Sequence, residues 1–162
     1  MCLSVQTVLW TVLLVSIIHV LEEYFAGFVK VVNEISPIKG ITTGQFIFIN
    51  LLMFLLEILA IIVNTGNVLF TLSVGALIFI NALIHLGGSI KFKRYMPGLI
   101  SAIAGYIPLS IFMILLYQNA GLIVSPIEIL FALILGLCWM IIPFCYQCVR
   151  ILYENRKNRA KD

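Results

Sequence analysis

The run VQTVLWTVLLVSIIHVLEEYFAGF, residues 5–28, is apolar over most of its length. A helix needs about 20 mainly apolar residues to cross the hydrocarbon core of a bilayer, so this run is long enough to span one. Its imidazole and carboxylate side chains, His19, Glu22 and Glu23, are grouped toward its C-terminal end. The run therefore predicts a transmembrane helix that carries unusual polar groups.

Four further runs of the same kind follow, at residues 45–63, 68–90, 97–117 and 126–149. Turn-forming residues separate them, and Asn67 is expected to cap the third helix. The pattern predicts an all-α, polytopic membrane protein built as a bundle of five transmembrane helices. We expect residues 1–155 to form a single five-span domain and residues 156–162 to form a basic cytoplasmic tail.

The composition excludes several classes of protein. Hydrophobic residues make up 62% of the 162 residues, charged residues make up 10%, and the mean hydropathy is +1.15. An average soluble domain carries about 25% charged residues, and it must leave much of its surface in water. A soluble enzyme, a nucleic-acid binder and a disordered tail are therefore excluded, and the lipid bilayer is the expected partner.

The positive charges predict the orientation in the membrane. All 10 Lys and Arg residues fall in the first connection, the third connection and the C-terminal segment: Lys30, Lys39, Lys91, Lys93, Arg94, Arg150, Arg156, Lys157, Arg159 and Lys161. With five spans, these three segments lie on one face, which the positive-inside rule makes cytoplasmic. The prediction is a multi-pass protein of the cell membrane with its N-terminus outside and its C-terminus in the cytoplasm.

Ionisable side chains inside the predicted spans are the main indication of function. Each costs about 2.5–3.5 kcal/mol at the centre of a span, so such groups are expected to face a partner or water. Counted from the cytoplasmic ends of the helices, these ionisable side chains and two asparagines lie at similar depths in the cytoplasmic half of the bilayer. His19 and Glu57 lie somewhat deeper, near mid-membrane. The set expected to share one polar pocket is His19, Glu22, Glu23, Asn50, Glu57, Asn81 and His85.

Two His and up to three Glu side chains match the ligands of a Zn, Fe or Mn site. We expect His19, His85 and one of Glu22 or Glu23 to bind a divalent metal. The other glutamate, or Glu57, is the candidate acid–base group.

Two other interpretations of the same residues stay open. In the first, His19 bonds Glu23 and His85 bonds Glu57, and this network only fixes the packing of the helices. In the second, the same groups form a proton or ion relay in a carrier and need no metal.

Other residues extend the predicted site. Asn81 is a candidate for orienting a ligand or polarising a carbonyl group. Asn50, Arg94 and Tyr95 are candidates for binding substrate, although Arg94 and Tyr95 also suit a role as interfacial anchors. The chain has no Gly-rich phosphate loop, no G-x-S-x-G and no H-E-x-x-H, so nucleotide, serine-hydrolase and zincin chemistries find no support.

Three segments resemble the HXXEE family of small bacterial integral membrane proteins: HVLEE at residues 19–23, NALIH at 81–85 and RYMPGL at 94–99. The similarity covers about residues 15–110. The function of that family is unknown, so the resemblance implies a membrane location and the positions of a site rather than a reaction. Carried over by position, the residues it marks are His19, Glu22, Glu23, Asn81, His85, Tyr95, Pro97 and Gly98.

Together these observations predict a metal-dependent intramembrane enzyme, hydrolase-like, with its site in the cytoplasmic half of the bilayer. Its substrate would be a lipid-like molecule or an apolar peptide that reaches the site through the membrane. The alternative is a proton-linked carrier, or a ligand-binding accessory or immunity-type membrane protein without catalysis.

Overall fold

A computed structural model describes residues 4–35, 40–122 and 125–159, and within these ranges the regular structure is helical, without strands. The helices are α1 (Val5–Phe25), α2 (Phe28–Ile35), α3 (Thr43–Val63), α4 (Val68–Phe92), α5 (Leu99–Asn119) and α6 (Pro126–Arg159). The predicted all-α fold class is confirmed. Helix α6 continues into the predicted tail as far as Arg159, and residues 160–162 lie outside the described ranges.

The first helix ends earlier than the apolar pattern predicts. Ser4 caps its start by accepting a hydrogen bond from the backbone N–H of Thr7. Its end is set by Gly27, whose φ of +75° lies in the left-handed region that glycine adopts without strain. The chain then begins α2, a separate two-turn helix that the sequence analysis did not predict. Glu22 and Glu23 consequently lie in the last turn of α1.

Helices α3 and α4 form a hairpin. Asn64, with a φ of +48°, ends α3, and a short 3-10 turn, Asn64–Asn67, leads into α4. The ring of Phe28 lies 5.6 Å from that of Phe46 and 5.9 Å from that of His85. In a straight helix, Phe46 and His85 would lie roughly 58 Å apart at 1.5 Å per residue. The chain therefore reverses, and the predicted cap is confirmed, since Asn67 accepts from the N–H of Phe70 at 3.0 Å.

Helix α5 begins after a sharp bend and contains one irregular turn. Gly98 precedes it with a φ of +91°, and residues Ala102–Tyr106 form a π-helical turn. Such a turn accommodates an extra residue and shifts the faces that follow it. Tyr106, at the end of this turn, is fully buried against the first and fourth helices.

Among the described residues, three stretches are long and apolar enough to cross a membrane: Val5–Phe25, Thr43–Phe92 and Leu99–Asn119. The second contains both α3 and α4, because the 3-10 turn between them continues the helical backbone. In α6, the apolar stretch with described side chains, Pro126–Ile142, is shorter than these three. The number of qualifying stretches is thus three, whereas the sequence analysis predicted five spans.

Close packing holds α6 against α4. A Cβ atom at Gly136 would lie 2.7 Å from the Cβ of Ala76 and 2.8 Å from the backbone nitrogen of Leu77, so only glycine permits this approach. The outward faces of the helices are apolar: Leu14 and Ile18 on α1, for example, are about half exposed. The buried polar side chains lie inside the bundle, chiefly between α1, α4 and the start of α5.

Candidate functional site

Three ionisable side chains meet in the interior: His19 and Glu23 of α1 and His85 of α4. Their exposed fractions are 0%, 3% and 3%. One carboxylate oxygen of Glu23 lies 3.6 Å from Nε2 of His19 and 3.2 Å from Nε2 of His85. One ligand atom from each residue lies within 4.8 Å of the other two. The sequence prediction that polar groups of separate helices converge is confirmed for these three, which we call the His–Glu–His cluster.

The start of α5 fixes the orientation of the first histidine. Nδ1 of His19 lies 2.8 Å from Oγ of Ser101. That hydroxyl donates a hydrogen bond to the carbonyl oxygen of Gly98 at 3.2 Å, so it accepts a hydrogen bond from Nδ1–H of His19. The proton of a neutral His19 therefore sits on Nδ1, and the lone pair of Nε2 faces Glu23 and His85. Within the described residues this Nε2 has no hydrogen-bond partner.

The backbone of Gly98 closes one side of the cluster. A Cβ atom at this position would lie 2.7 Å from Cε1 of His19, 2.8 Å from Cε1 of His85 and 3.0 Å from Cγ of Glu23. The φ of +91° also disfavours any side chain here. Space and backbone conformation both require glycine, which explains physically why this residue stands beside the three ionisable groups.

Two further buried atoms on α4 have no hydrogen-bond partner among the described residues, namely Oδ1 of Asn81 and Nδ1 of His85. The two residues are four positions apart and so lie on the same helix face. Asn81 also borders His19. The amide of Asn81 thus borders His19 and shares a helix face with His85, and its role in orienting a ligand stays a prediction.

Glu22 does not join the cluster, although the sequence analysis gave it an equal chance of binding metal. Its carboxylate accepts from Tyr95 Oη at 2.5 Å, from the N–H of Ile100 at 3.0 Å and from the N–H of Ser101 at 2.8 Å. These N–H groups belong to the first turn of α5, where an anion is favoured by the helix dipole. Glu22 therefore ties α1 to α5 and positions Ser101 beside His19.

The hydrogen bond from Tyr95 to Glu22 makes a contribution to stability that depends on pH. Partial burial, and then its hydrogen bond to the Glu22 carboxylate, raise the pKa of the Tyr95 phenol from 10.0 to about 12. Because the folded pKa is the higher one, the stabilisation is complete below pH 10.0 and is lost as the pH rises through about 12. The difference in unfolding temperature between the wild type and Tyr95→Phe should accordingly be constant from neutral pH to about 10 and then shrink.

Thermal unfolding in detergent at a series of pH values measures this difference directly. Replacement of a tyrosine that has no such partner provides the control, and the exposed Tyr153 of α6 suits it. A difference between wild type and Tyr95→Phe that grows above pH 10 would contradict the assignment.

A second polar group lies deeper, between α1, α3 and α5. Oγ of Ser16 donates to Oε1 of Glu57 at 2.5 Å, and Glu57 is 1% exposed. Oε2 of Glu57 and the hydroxyl of Tyr106 have no hydrogen-bond partner within the described part of the chain. The ring of Tyr106 lies 4.5 Å from that of His19, so this residue separates Glu57 from the cluster. The alternative in which Glu57 bonds His85 is wrong, because His85 pairs with Glu23.

The remaining predicted site residues lie apart from the cluster. The side-chain amide of Asn50 donates to the carbonyl oxygen of Phe46 on its own helix at 2.9 Å. Arg94 forms an exposed ion pair of 3.0 Å with Glu34 of α2. Their assignment to substrate binding stays a prediction, and the observed contact of Arg94 favours an anchoring role.

A cavity of about 300 Å³ lies between the end of α1, the start of α2 and the start of α3. It is lined by Glu23, Tyr24, Gly27, Phe28, Val29, Lys30, Thr43 and Phe46. Glu23 therefore belongs both to the cluster and to the lining of the cavity.

The sequence analysis did not assign Ser16, Ser101 or Tyr106 to the site. Ser16 lies three residues before His19, on the helix face that also carries Glu23, so the polar stripe 16–19–23 was a usable signal. Tyr106 had no such signal, because it lies at the end of the π-helical turn, which changes the residues of α5 that face inward.

The fold and the site define a class: an all-helical protein of strongly apolar helices with a His–Glu–His cluster buried between its first and fourth helices. The chain belongs to the family described as "Protein of unknown function with HXXEE motif", whose model matches residues 10–113. The match includes the cluster, Gly98 and Ser101, and it ends inside α5. Neither the curated proteins nor the solved structures contain a match to the chain.

Proposed function

We propose that this protein is a metal-dependent intramembrane enzyme of the hydrolase type, and that the His–Glu–His cluster holds its divalent ion. One observation carries the proposal: a buried carboxylate oxygen lies 3.6 Å and 3.2 Å from the Nε2 atoms of two buried histidines. Such spacings suit three ligands around one ion. Nε2 of His19 has no hydrogen-bond partner among the described residues and is free to bind an ion.

The ligand set supports a catalytic rather than a structural ion. Two His and one Glu are the protein ligands of several catalytic zinc sites, which keep a fourth position open, whereas structural sites use four protein ligands. Among the described residues, three side chains of the metal-binding types lie close enough together to bind one ion, and they are those of the His–Glu–His cluster. Iron and manganese accept the same ligand types.

The surrounding residues have the roles that a metal site requires. Ser101 holds the Nδ1 proton of His19, and Asn81 is placed to orient His85 or a bound molecule. Gly98 leaves room for the ion and its ligands. When bound, a divalent ion would polarise a substrate carbonyl or lower the pKa of a water molecule. Glu57, with its unpartnered oxygen, is the candidate store for a proton.

We propose that five helices cross the cell membrane, namely α1, α3, α4, α5 and α6. Asn64–Asn67 then lies on the outer side, as does the N-terminus, and the cluster lies in the cytoplasmic half. The support is the distribution of charge: Lys30, Lys91, Lys93 and Arg94 all lie at the end of the bundle nearest to the cluster. The C-terminus is then cytoplasmic.

A lipid-like molecule or an apolar peptide is the substrate class that fits a site inside the bilayer. Such a molecule would reach Glu23 through the cavity beside α2. The competing proposal is a proton-linked carrier or a ligand-binding accessory protein, in which the two histidines and Glu23 share a proton. It is favoured by the buried Ser16–Glu57 pair, which a carrier would use as a second proton site.

The experiment compares purified wild type with His19→Ala and His85→Ala in liposomes made from a total membrane lipid extract. Each sample is depleted of metal and then supplied with Zn²⁺, Fe²⁺ or Mn²⁺, and its lipids are analysed by mass spectrometry. We expect wild type to convert at least one lipid species with one of these ions, and both variants to lose the conversion.

Glu34→Gln serves as the control, because it removes an exposed carboxylate that is not part of the cluster. It should retain the conversion. Two results together would contradict the enzyme proposal and favour the carrier. The lipid profiles would be identical with and without metal, and proton flux across the liposome membrane would depend on His19.

A further inference from the structure

The cavity beside α2 has a composition that indicates its ligand. Its lining includes Glu23 of the cluster, several apolar and aromatic residues, and Lys30, whose side chain is exposed. One carboxyl group, one lysine and aromatic rings thus share the lining of this cavity.

The walls are built from aromatic side chains of three helices. The rings of Phe28 and Phe46 lie 5.6 Å apart, and Tyr24 completes this side of the cavity. Such surfaces take a hydrocarbon segment without leaving polar groups unpaired, and small-molecule sites are commonly mostly apolar with a few polar groups that fix orientation.

Lys30 is available to bind an anion. Glu34, one helical turn further along α2, is paired with Arg94 at 3.0 Å. Within the described ranges, Lys30 itself forms no ion pair, and its side chain is exposed at the rim. It is also the single cationic side chain in the lining. An anionic group at the rim would therefore meet a positive charge that no carboxylate has already neutralised.

We propose that this cavity binds a single-chain amphiphile with an anionic head group, a phosphate or a carboxylate, whose head lies at Lys30. The first part of its apolar chain lies against the rings of Phe28 and Phe46. The group that follows the head is thereby brought toward Glu23 and the histidines. This inference names the substrate class of the proposed enzyme and in that respect rests on the proposed function, but the binding itself needs no metal.

The test measures binding to metal-free protein in nanodiscs of phosphatidylcholine. The probes are lysophosphatidic acid, a fatty acid and a monoacylglycerol with the same chain. Wild type should bind both anionic probes more tightly than the neutral one. Lys30→Gln should weaken binding of the anionic probes about fivefold, as expected for one lysine near a membrane surface, and leave the neutral probe unchanged.

Lys93→Gln is the matched control, because it removes an exposed lysine at the same end of the bundle but outside the cavity lining. It should leave all three affinities unchanged. Thr43→Phe, at an exposed lining position, should weaken all three by filling the cavity.

Equal losses in Lys30→Gln and Lys93→Gln would show a general surface charge effect and overturn the proposal, as would equal binding of all probes to the wild type. Because the protein is metal-free, failure of this test leaves the metal site standing. Conversely, absence of metal binding would leave the amphiphile site standing.

Discussion

Replacement of Gly98 by alanine is expected to abolish metal binding at the His–Glu–His cluster. The added Cβ would lie within 3.0 Å of atoms of His19, Glu23 and His85, and the φ of +91° is unfavourable for alanine. The left-handed backbone costs about 1–2 kcal/mol and overpacking about 1–3 kcal/mol, so the free energy of unfolding should fall by about 2–5 kcal/mol. Metal content per chain and unfolding in mixed detergent micelles measure the two effects.

Gly87→Ala is the matched control on the same side of the bundle. Gly87 lies inside α4, and a Cβ there would meet no heavy atom within 4 Å. Alanine is favoured over glycine by about 1 kcal/mol inside a helix, so this variant should keep its metal and gain stability. A Gly98→Ala protein with the metal content and stability of the wild type would show that the backbone does not close the cluster as described.

The adjacent glutamates are expected to give opposite results. Glu23→Gln removes a carboxylate ligand, so we expect the affinity for Zn²⁺ to fall by more than the about 10–100-fold typical of residues that only orient a ligand. Without metal this variant should be at least as stable as the wild type, because a buried carboxylate is costly to keep away from water. Equilibrium metal titration and unfolding of the metal-free protein measure these effects.

Glu22→Gln should instead lower stability and keep the metal. It removes the negative charge that accepts hydrogen bonds from Tyr95 and from the first turn of α5. An anion at a helix N-terminus contributes up to about 2 kcal/mol, so a loss of about 1–2 kcal/mol is expected. The reverse pattern, with metal lost in Glu22→Gln and retained in Glu23→Gln, would exchange the roles of the two residues.

Much of the helical arrangement could be predicted, because apolar runs of spanning length have few alternative structures. The short helix α2 could not, since its existence depends on the left-handed backbone of Gly27 rather than on a long apolar pattern. The apolar pattern predicted five spans, whereas three stretches of the described residues qualify. The turn between α3 and α4 is itself helical, and the apolar stretch of α6 that has described side chains, Pro126–Ile142, is short.

The site was predictable where helical spacing determines it. His19 and Glu23 are four residues apart, which places both on one face, and His85 was the remaining imidazole at a compatible depth. The choice between Glu22 and Glu23 was not predictable, because it depends on the N–H groups of Ile100 and Ser101, which are far away in the sequence. Tertiary contacts of this kind leave no local pattern.

The most direct measurement is X-ray absorption at the metal edge of the purified protein, reconstituted in a bilayer and loaded with Zn²⁺. We predict one ion per chain with two imidazole nitrogens and a carboxylate oxygen at about 2.0–2.2 Å, and loss of this signal in His85→Ala. A chain that binds no ion above the level of His85→Ala, or an ion held by sulfur or by oxygen alone, would contradict the account.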